Sequence, residues 1–153
     1  MKILYFDCSS GISGDMILAA FLDAGWDINI LRGQIKKLGL KNITLMAKKV
    51  RRGELFGTKL EIIYDKKEKS DRLSFRTLPE VIRLIRRSKL EKEVKKISEK
   101  IFYNLAKAEA KIHKLRLPHI HFHELSHADT VVDIVGAVSA IFSLGIDKMY
   151  ASP

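Results

Sequence analysis

Four of the five histidines lie between His119 and His127, in the stretch HIHFHELSH, and two aspartates follow it at Asp129 and Asp133. If HIHFH is extended, His119, His121 and His123 project to one face and Ile120, Phe122 and Glu124 to the other, because side chains alternate along a strand. On a helix, Asp129 and Asp133 share a face. Imidazole nitrogens beside carboxylate oxygens form a donor set for nickel, zinc, cobalt or manganese. His121, His123, Asp129 and Asp133 are therefore the candidate metal ligands. Glu124 can act as a ligand, a base or an anchor for a ligand. His119 and His127 fit an exposed position equally well, and a polar structural network is the competing account of the whole stretch. His113, close to Lys111 and Lys114, reads as a surface residue.

A second constellation, YFDCSSGISGDM at residues 5–16, follows a short apolar strand, KILYF. Asp7 then stands at the carboxyl end of that strand, where open α/β sheets place ligands. The loop offers backbone N–H groups and the hydroxyls of Ser9, Ser10 and Ser13 ahead of a helix N-terminus, features that hold phosphate. No GK[ST] follows, so it is not a P-loop. Flanking carboxylates repel a bare phosphate but suit one bridged by a divalent cation. Ser10, Gly11, Ser13 and Gly14 are the candidate cofactor-binding residues; Asp7, Asp15 and Glu124 are the candidate catalytic carboxylates. In the plainer account, Gly11 and Gly14 make a turn and Asp15 complements the helix dipole. Cys8 can ligate a soft metal as thiolate, although a small buried side chain after a strand is commoner.

These residues need elements to position them. Helical spacing runs from Asp15 to Gly25, and Asp27 can cap a second helix that ends at Gly39, a left-handed C-terminal position. ITLMAKKV and KLEIIY read as two strands of a hairpin joined around residues 52–57, with Gly53 and Gly57 at turn or bulge positions. DKKEKSDRLSFR, residues 65–76, is polar and aperiodic and reads as a mobile loop. Thr77 can cap a helix with Pro79 in its first turn, and Ser88 a longer one over residues 89–115. In the latter, Leu90, Val94, Ile97, Ile101, Leu105, Ala108, Ile112 and Leu115 form one expected buried stripe. A last helix spans residues 129–144, and DKMYASP reads as a strand leaving the domain. The order predicts an α+β fold, with the first strand, the hairpin and a later strand in one mixed sheet packed by helices, in a split βαβ topology.

The chain has 153 residues, enough for one domain, and 46% hydrophobic residues, enough for a core. No apolar run reaches the roughly 18–20 residues that cross a bilayer, and no signal-peptide core forms, which predicts a cytoplasmic protein without membrane association. One cysteine excludes an intrachain disulfide and a cysteine-based zinc knuckle. The net charge of +10 invites polyanion binding. However, residues 47–116 carry 22 Lys/Arg against 10 Asp/Glu, so the basicity lies between the two constellations rather than on them. A solvated basic face is the ordinary reading, and nucleic acid is the less favoured partner.

Taken together, MKILYFDCSSGISGDMILAAFLDAG and HFHELSHADTVVDIVGAVSAIFSLGID resemble the LarC family of nickel-insertion proteins. The family's opening D-x-x-x-G-x-S-G-D-M is matched by Asp7, Gly11, Ser13, Gly14, Asp15 and Met16. Its later H-F-H-E and D-[ST]-[IV]-x-D-I-x-G are matched by His121, Phe122, His123 and Glu124, then Asp129, Thr130, Val131, Asp133, Ile134 and Gly136. Where the family often has a glycine soon after the glutamate, this chain has Ser126 and His127, which weighs against a special role for His127. The resemblance covers the whole chain and implies a lyase-class activity. Ni2+ would be inserted into pyridinium-3,5-bisthiocarboxylic acid mononucleotide, with carbon–nickel and sulfur–nickel bonds, to make the nickel-pincer cofactor of lactate racemase-type enzymes.

It further implies dependence on CTP with Mg2+ or Mn2+, bound by a C-terminal portion absent from this chain, and a homo-oligomer. Residues 1–153 are thus expected to be a single N-terminal domain of a longer or split protein, incomplete by itself. Two alternatives use the same residues differently. A metal-dependent phosphoesterase or hydrolase would employ the same Asp and His groups, while a non-enzymatic RNA-binding or scaffold module would employ the basic middle.

Overall fold

Residues 1–41, 43–64, 75, 77–117, 120, 122 and 127–152 are described in a computed structural model. In chain order its elements are β1 (Ile3–Phe6), α1 (Gly14–Asp23), α2 (Ile28–Leu38), β2 (Ile43–Arg52), β3 (Leu55–Tyr64), α3 (Leu78–Arg87), α4 (Lys92–His113), α5 (Ala128–Ser143) and β4 (Lys148–Ala151). The sequence of α5, ADTVVDIVGAVSAIFS, is apolar on nearly every side, and a helix of that kind belongs in the middle of a fold. Two hydrophobic clusters meet on it. Val131, Val135 and Val138 join α3, α4, Ile120 and Phe122. Val132 and Ala140 join α1, α2 and the hairpin residues Leu45 and Leu60.

Local chemistry sets several of the helix ends. The Asp27 carboxylate accepts from Asn29 N–H at 2.8 Å at the start of α2, and Gly39 ends that helix with φ +88°, a conformation glycine adopts without a Cβ penalty. At α3, the Glu80 carboxylate accepts from the Thr77 backbone N–H at 3.2 Å, one arm of a capping box. Ser88 terminates α3 instead of opening α4, whose N-cap is Glu91.

The α+β class holds, with a different sheet arrangement. Among the described residues there are two separate two-stranded sheets rather than one mixed sheet, so the split βαβ order is not formed. The hairpin strands are ten residues each and pair along their full length from Ile43–Tyr64 to Arg52–Leu55. Gly53, at φ +60°, allows a two-residue turn, and Gly57 stays in register opposite Val50. β1 takes its bonds from β4 in parallel, in register from Ile3–Lys148 to Phe6–Ala151. The C-terminal strand therefore packs within this fold. Lys2 N–H donates to Asp147 Oδ2 at 2.7 Å, and Ser152 N–H donates to the Phe6 carbonyl at 2.9 Å.

The stripe expected on α4 is also displaced. Val94, Ser98, Phe102 and Ala106 are its buried residues, a strict four-residue row. Ile101 and Leu105 flank it, while Ile97, Ile112 and Leu115 face solvent. Counting only apolar residues passed over Ser98, which lies on the buried row. The 65–74 part of the expected loop, and most of HIHFH, lie outside the described residues; Ile120 and Phe122 are buried in the core. Among the described residues no helix is long and apolar enough to cross a membrane.

Candidate functional site: a carboxylate cluster at the start of two helices

β1 delivers Asp7 to an exposed loop in which Asp7 Oδ1 accepts from the Ser9 backbone N–H at 3.1 Å. That bond, followed by one from the Ser9 side chain, holds the Asp7 carboxyl below its ordinary value. The Gly11 N–H donates to the Cys8 carbonyl at 2.9 Å and its φ is +81°, which closes the turn. Cys8 N–H donates to Ser152 Oγ at 2.8 Å, tying the loop to the end of β4. The Cys8 thiol, partly buried, lies 3.8 Å from the Phe6 carbonyl.

Ser13 is the N-cap of α1, yet its hydroxyl donates to Asp15 Oδ1 rather than capping a backbone group. The same carboxylate oxygen accepts from Met16 N–H at 2.9 Å, so Asp15 sits at the positive end of α1. Gly14, the first residue of α1, lies directly against α5. A Cβ built there would stand 2.4 Å from Asp133 Cβ and 2.6 Å from Asp133 Oδ2. No side chain fits that gap, and the glycine is what lets the two helices approach.

On α5, Asp129 occupies the first turn and Asp133 the next. The Tyr64 hydroxyl, at the end of β3, donates to Asp129 Oδ1. Burial raises the Asp129 carboxyl above its ordinary value and the negative charge of Asp15 adds to it. Asp133 is displaced further, to about 7, by burial first and then by Asp15 and Asp129. Its Oδ1 is buried and has no hydrogen-bond partner among the described residues. A buried carboxylate oxygen without a donor among the described residues, beside two other carboxylates, is expensive to keep charged, and a cation would relieve that cost.

Asp15 also forms part of the wall of an open cleft of about 350 Å3 between α1 and the hairpin. Arg52 and Lys59 line it together with Phe56, over whose ring the Arg51 guanidinium sits 5.3 Å from the centroid. The structure thus brings a carboxylate of the first constellation together with two of the second, next to a basic and aromatic cleft. His121, His123 and Glu124 lie outside the described residues. Among the described residues no three His, Cys, Asp or Glu side chains stand close enough to hold a metal ion by themselves. His127 is exposed and makes no side-chain cap at α5, and His113 pairs with Glu109 at 3.2 Å on the surface of α4.

A family model described as "Nickel insertion protein" matches residues 4–153. The chain belongs to the nickel insertion protein family. A "Putative nickel insertion protein" of Syntrophobacter fumaroxidans is 43% identical over 153 residues, covering 99% of this chain and 38% of the relative. A relative from Dictyoglomus thermophilum with the same description is 37% identical, covering 100% and 38%. The "Pyridinium-3,5-bisthiocarboxylic acid mononucleotide nickel insertion protein" of Desulfitobacterium hafniense DCB-2 is 43% identical, covering 100% and 37%. This member of the family therefore spans under two fifths of the length of these relatives. No solved structure matches it significantly.

Several neighbours of the family motifs could not be found from sequence. Tyr64 lies 65 residues before the aspartate it bonds, at the end of an ordinary amphipathic strand. Arg52, Phe56 and Lys59 belong to a hairpin whose packing against α1 is a tertiary matter. Gly14 reads from sequence as part of a phosphate-binding loop or of a turn; the structure shows it at a close contact between α1 and α5.

Proposed function

We propose that this chain is the nickel-handling portion of a nickel insertion enzyme whose substrates are Ni2+ and pyridinium-3,5-bisthiocarboxylic acid mononucleotide. The observation that carries this reading is the contact of Gly14 with Asp133, which supports a single site built from both constellations. Asp129 and Asp133, together with His121 and His123, hold the incoming nickel. Such a mixed nitrogen and oxygen set can select nickel and still exchange it. Asp15 faces the same site from α1 and keeps the field negative, which attracts the cation and stabilises it once it arrives.

The organic substrate is an anion overall, with two thiocarboxylates on a pyridinium ring and, as a mononucleotide, a phosphate on the attached sugar. Arg52 and Lys59 complement its charge and Phe56 its ring, while the Ser10–Gly14 loop receives the phosphate through backbone N–H groups. Replacing a ring C–H bond by a carbon–nickel bond leaves nickel divalent and releases one proton. A carboxylate that is not itself a nickel ligand, such as Glu124 in the motif, is suited to accept that proton. Asp7, kept ionised by Ser9, is placed to contact a cation that accompanies the phosphate.

CTP, with Mg2+ or Mn2+, would be held by the portion of the protein outside this chain. Residues 1–153 then form the N-terminal domain of a homo-oligomeric, cytoplasmic enzyme, a setting that suits a free cysteine and a thiocarboxylate substrate.

Metal-free chain titrated with nickel by calorimetry, alone and against zinc, tests the assignment. Stoichiometric binding in the wild type that is lost in His121→Ala/His123→Ala is expected. Nickel binding unchanged in that variant would remove the histidines from the site.

A further inference from the structure

Away from the carboxylate cluster, three cations of the basic middle, Arg83, Arg87 and Lys89, meet two from α2, Lys36 and Lys37, around one cavity. The cavity, about 950 Å3, lies where the C-terminal ends of α2 and α3 converge. Lys36, Lys37, Arg83, Arg87 and Lys89 line it with one acid, Glu80, among the described residues, and Lys37 is paired with Glu91 at 2.5 Å. Its apolar lining is Leu38, Leu84 and Phe75, of which Leu84 and Phe75 pack on the core beneath. The Lys89 N–H donates to the Lys37 carbonyl at 2.9 Å and fixes the α2 end against the segment after α3.

Part of this charge has an ordinary explanation, since Lys36, Lys37 and Arg87 lie in last helical turns, where cations complement the dipole. Arg83, a turn earlier, and Lys89, beyond the helix, are not explained in that way. A merely solvated basic face also has no need of a concavity with an apolar floor. Small-molecule sites have this form: a few hundred to about 1,000 Å3, largely apolar, with a few charged groups that fix orientation. Gly33 lines the cavity from inside α2, and a Cβ added there would meet nothing within 4 Å. A glycine within a helix costs about 1 kcal/mol relative to alanine, and here it leaves the cavity open.

We propose that this cavity binds a phosphorylated ring compound of mononucleotide size. The ring lies on Phe75 and Leu84, and the phosphate lies among Arg83, Arg87 and Lys89. The site is separate in composition from the carboxylate cluster and does not depend on the nickel reading.

Calorimetry with adenosine 5′-monophosphate and with inorganic phosphate, at about 50 mM salt, tests it. The nucleotide should bind at least about tenfold more tightly than phosphate, because ring contacts add to charge. Both should weaken as salt screens the cations. Arg83→Gln/Arg87→Gln should weaken both ligands about tenfold or more. Gly33→Phe, which removes no charge and adds bulk to the wall, should weaken the nucleotide about tenfold and leave phosphate within about twofold. Asp129→Asn should leave nucleotide affinity unchanged while altering nickel uptake, so the two readings can fail separately. Circular dichroism confirms that each variant is folded. No nucleotide binding at millimolar concentration, or equal affinity in the wild type and both cavity variants, would overturn the proposal.

Discussion

Asp133 holds a buried oxygen without a partner among the described residues, beside two other carboxylates, and its proton affinity carries a stability consequence. Its carboxyl stands at about 7 in the folded chain against an ordinary 3.8. The folded state therefore binds this proton more tightly than the unfolded one, and stability falls as pH rises from about 4 through about 7. The full linkage value is roughly 4 kcal/mol, reduced to about 1–2 kcal/mol by the solvent that reaches the site. In metal-free protein, Asp133→Asn should raise stability by about that amount at pH 8 and change little near pH 4. Urea melts at the two pH values read this directly; equal effects at both would refute the assigned burial. The glycines make a second comparison. Gly14→Ala places a Cβ against the Asp133 Cβ, which cannot rotate away, and should cost about 1–3 kcal/mol. Gly136→Ala meets the side-chain ends of Leu31 and Leu18, which can shift, and gains helix propensity, so it should stay within about 1 kcal/mol.

Among the elements, boundaries fixed by local chemistry were readable in advance. The Asp27 cap, the Gly39 left-handed end and the Thr77 start all depend on residues within a few positions of one another. Burial of the long helix α4 was less readable, because Ser98 breaks the apolar pattern while sitting on the buried row, and Ile97 and Ile112 continue it while facing water. Phe102 is fully buried at the centre of that row. Phe102→Ala should cost about 3–5 kcal/mol, and Ile112→Ala about 0.5 kcal/mol or less, measured by denaturant midpoints. If the two costs were similar, the placement of α4 would be wrong. Strand pairing was the least readable feature. Alternation identifies a strand without naming its partner, and the β1–β4 ladder joins residues 145 positions apart.

For the whole molecule, the two constellations and their order identified the family, because a long motif records chemistry that tertiary context cannot erase. The same motifs did not show that their carboxylates meet; that required Gly14 to lie against α5. Nor did they show Tyr64, or the cleft residues Arg52 and Lys59, which reach Asp129 and Asp15 only through packing. The charge is unevenly placed: acidic at the start of α1 and α5, which suits the proposed nickel site, and basic at the α2–α3 junction, which suits the proposed anion. In the proposed site Asp15 and Asp133 act on one nickel ion. The most direct measurement is nickel affinity by calorimetry for wild type, Asp15→Asn, Asp133→Asn and the double variant. A single site predicts that each single change weakens nickel and that the double change falls short of the sum by about 1 kcal/mol or more. Additive losses, or an Asp15→Asn variant that binds nickel as the wild type does, would contradict it.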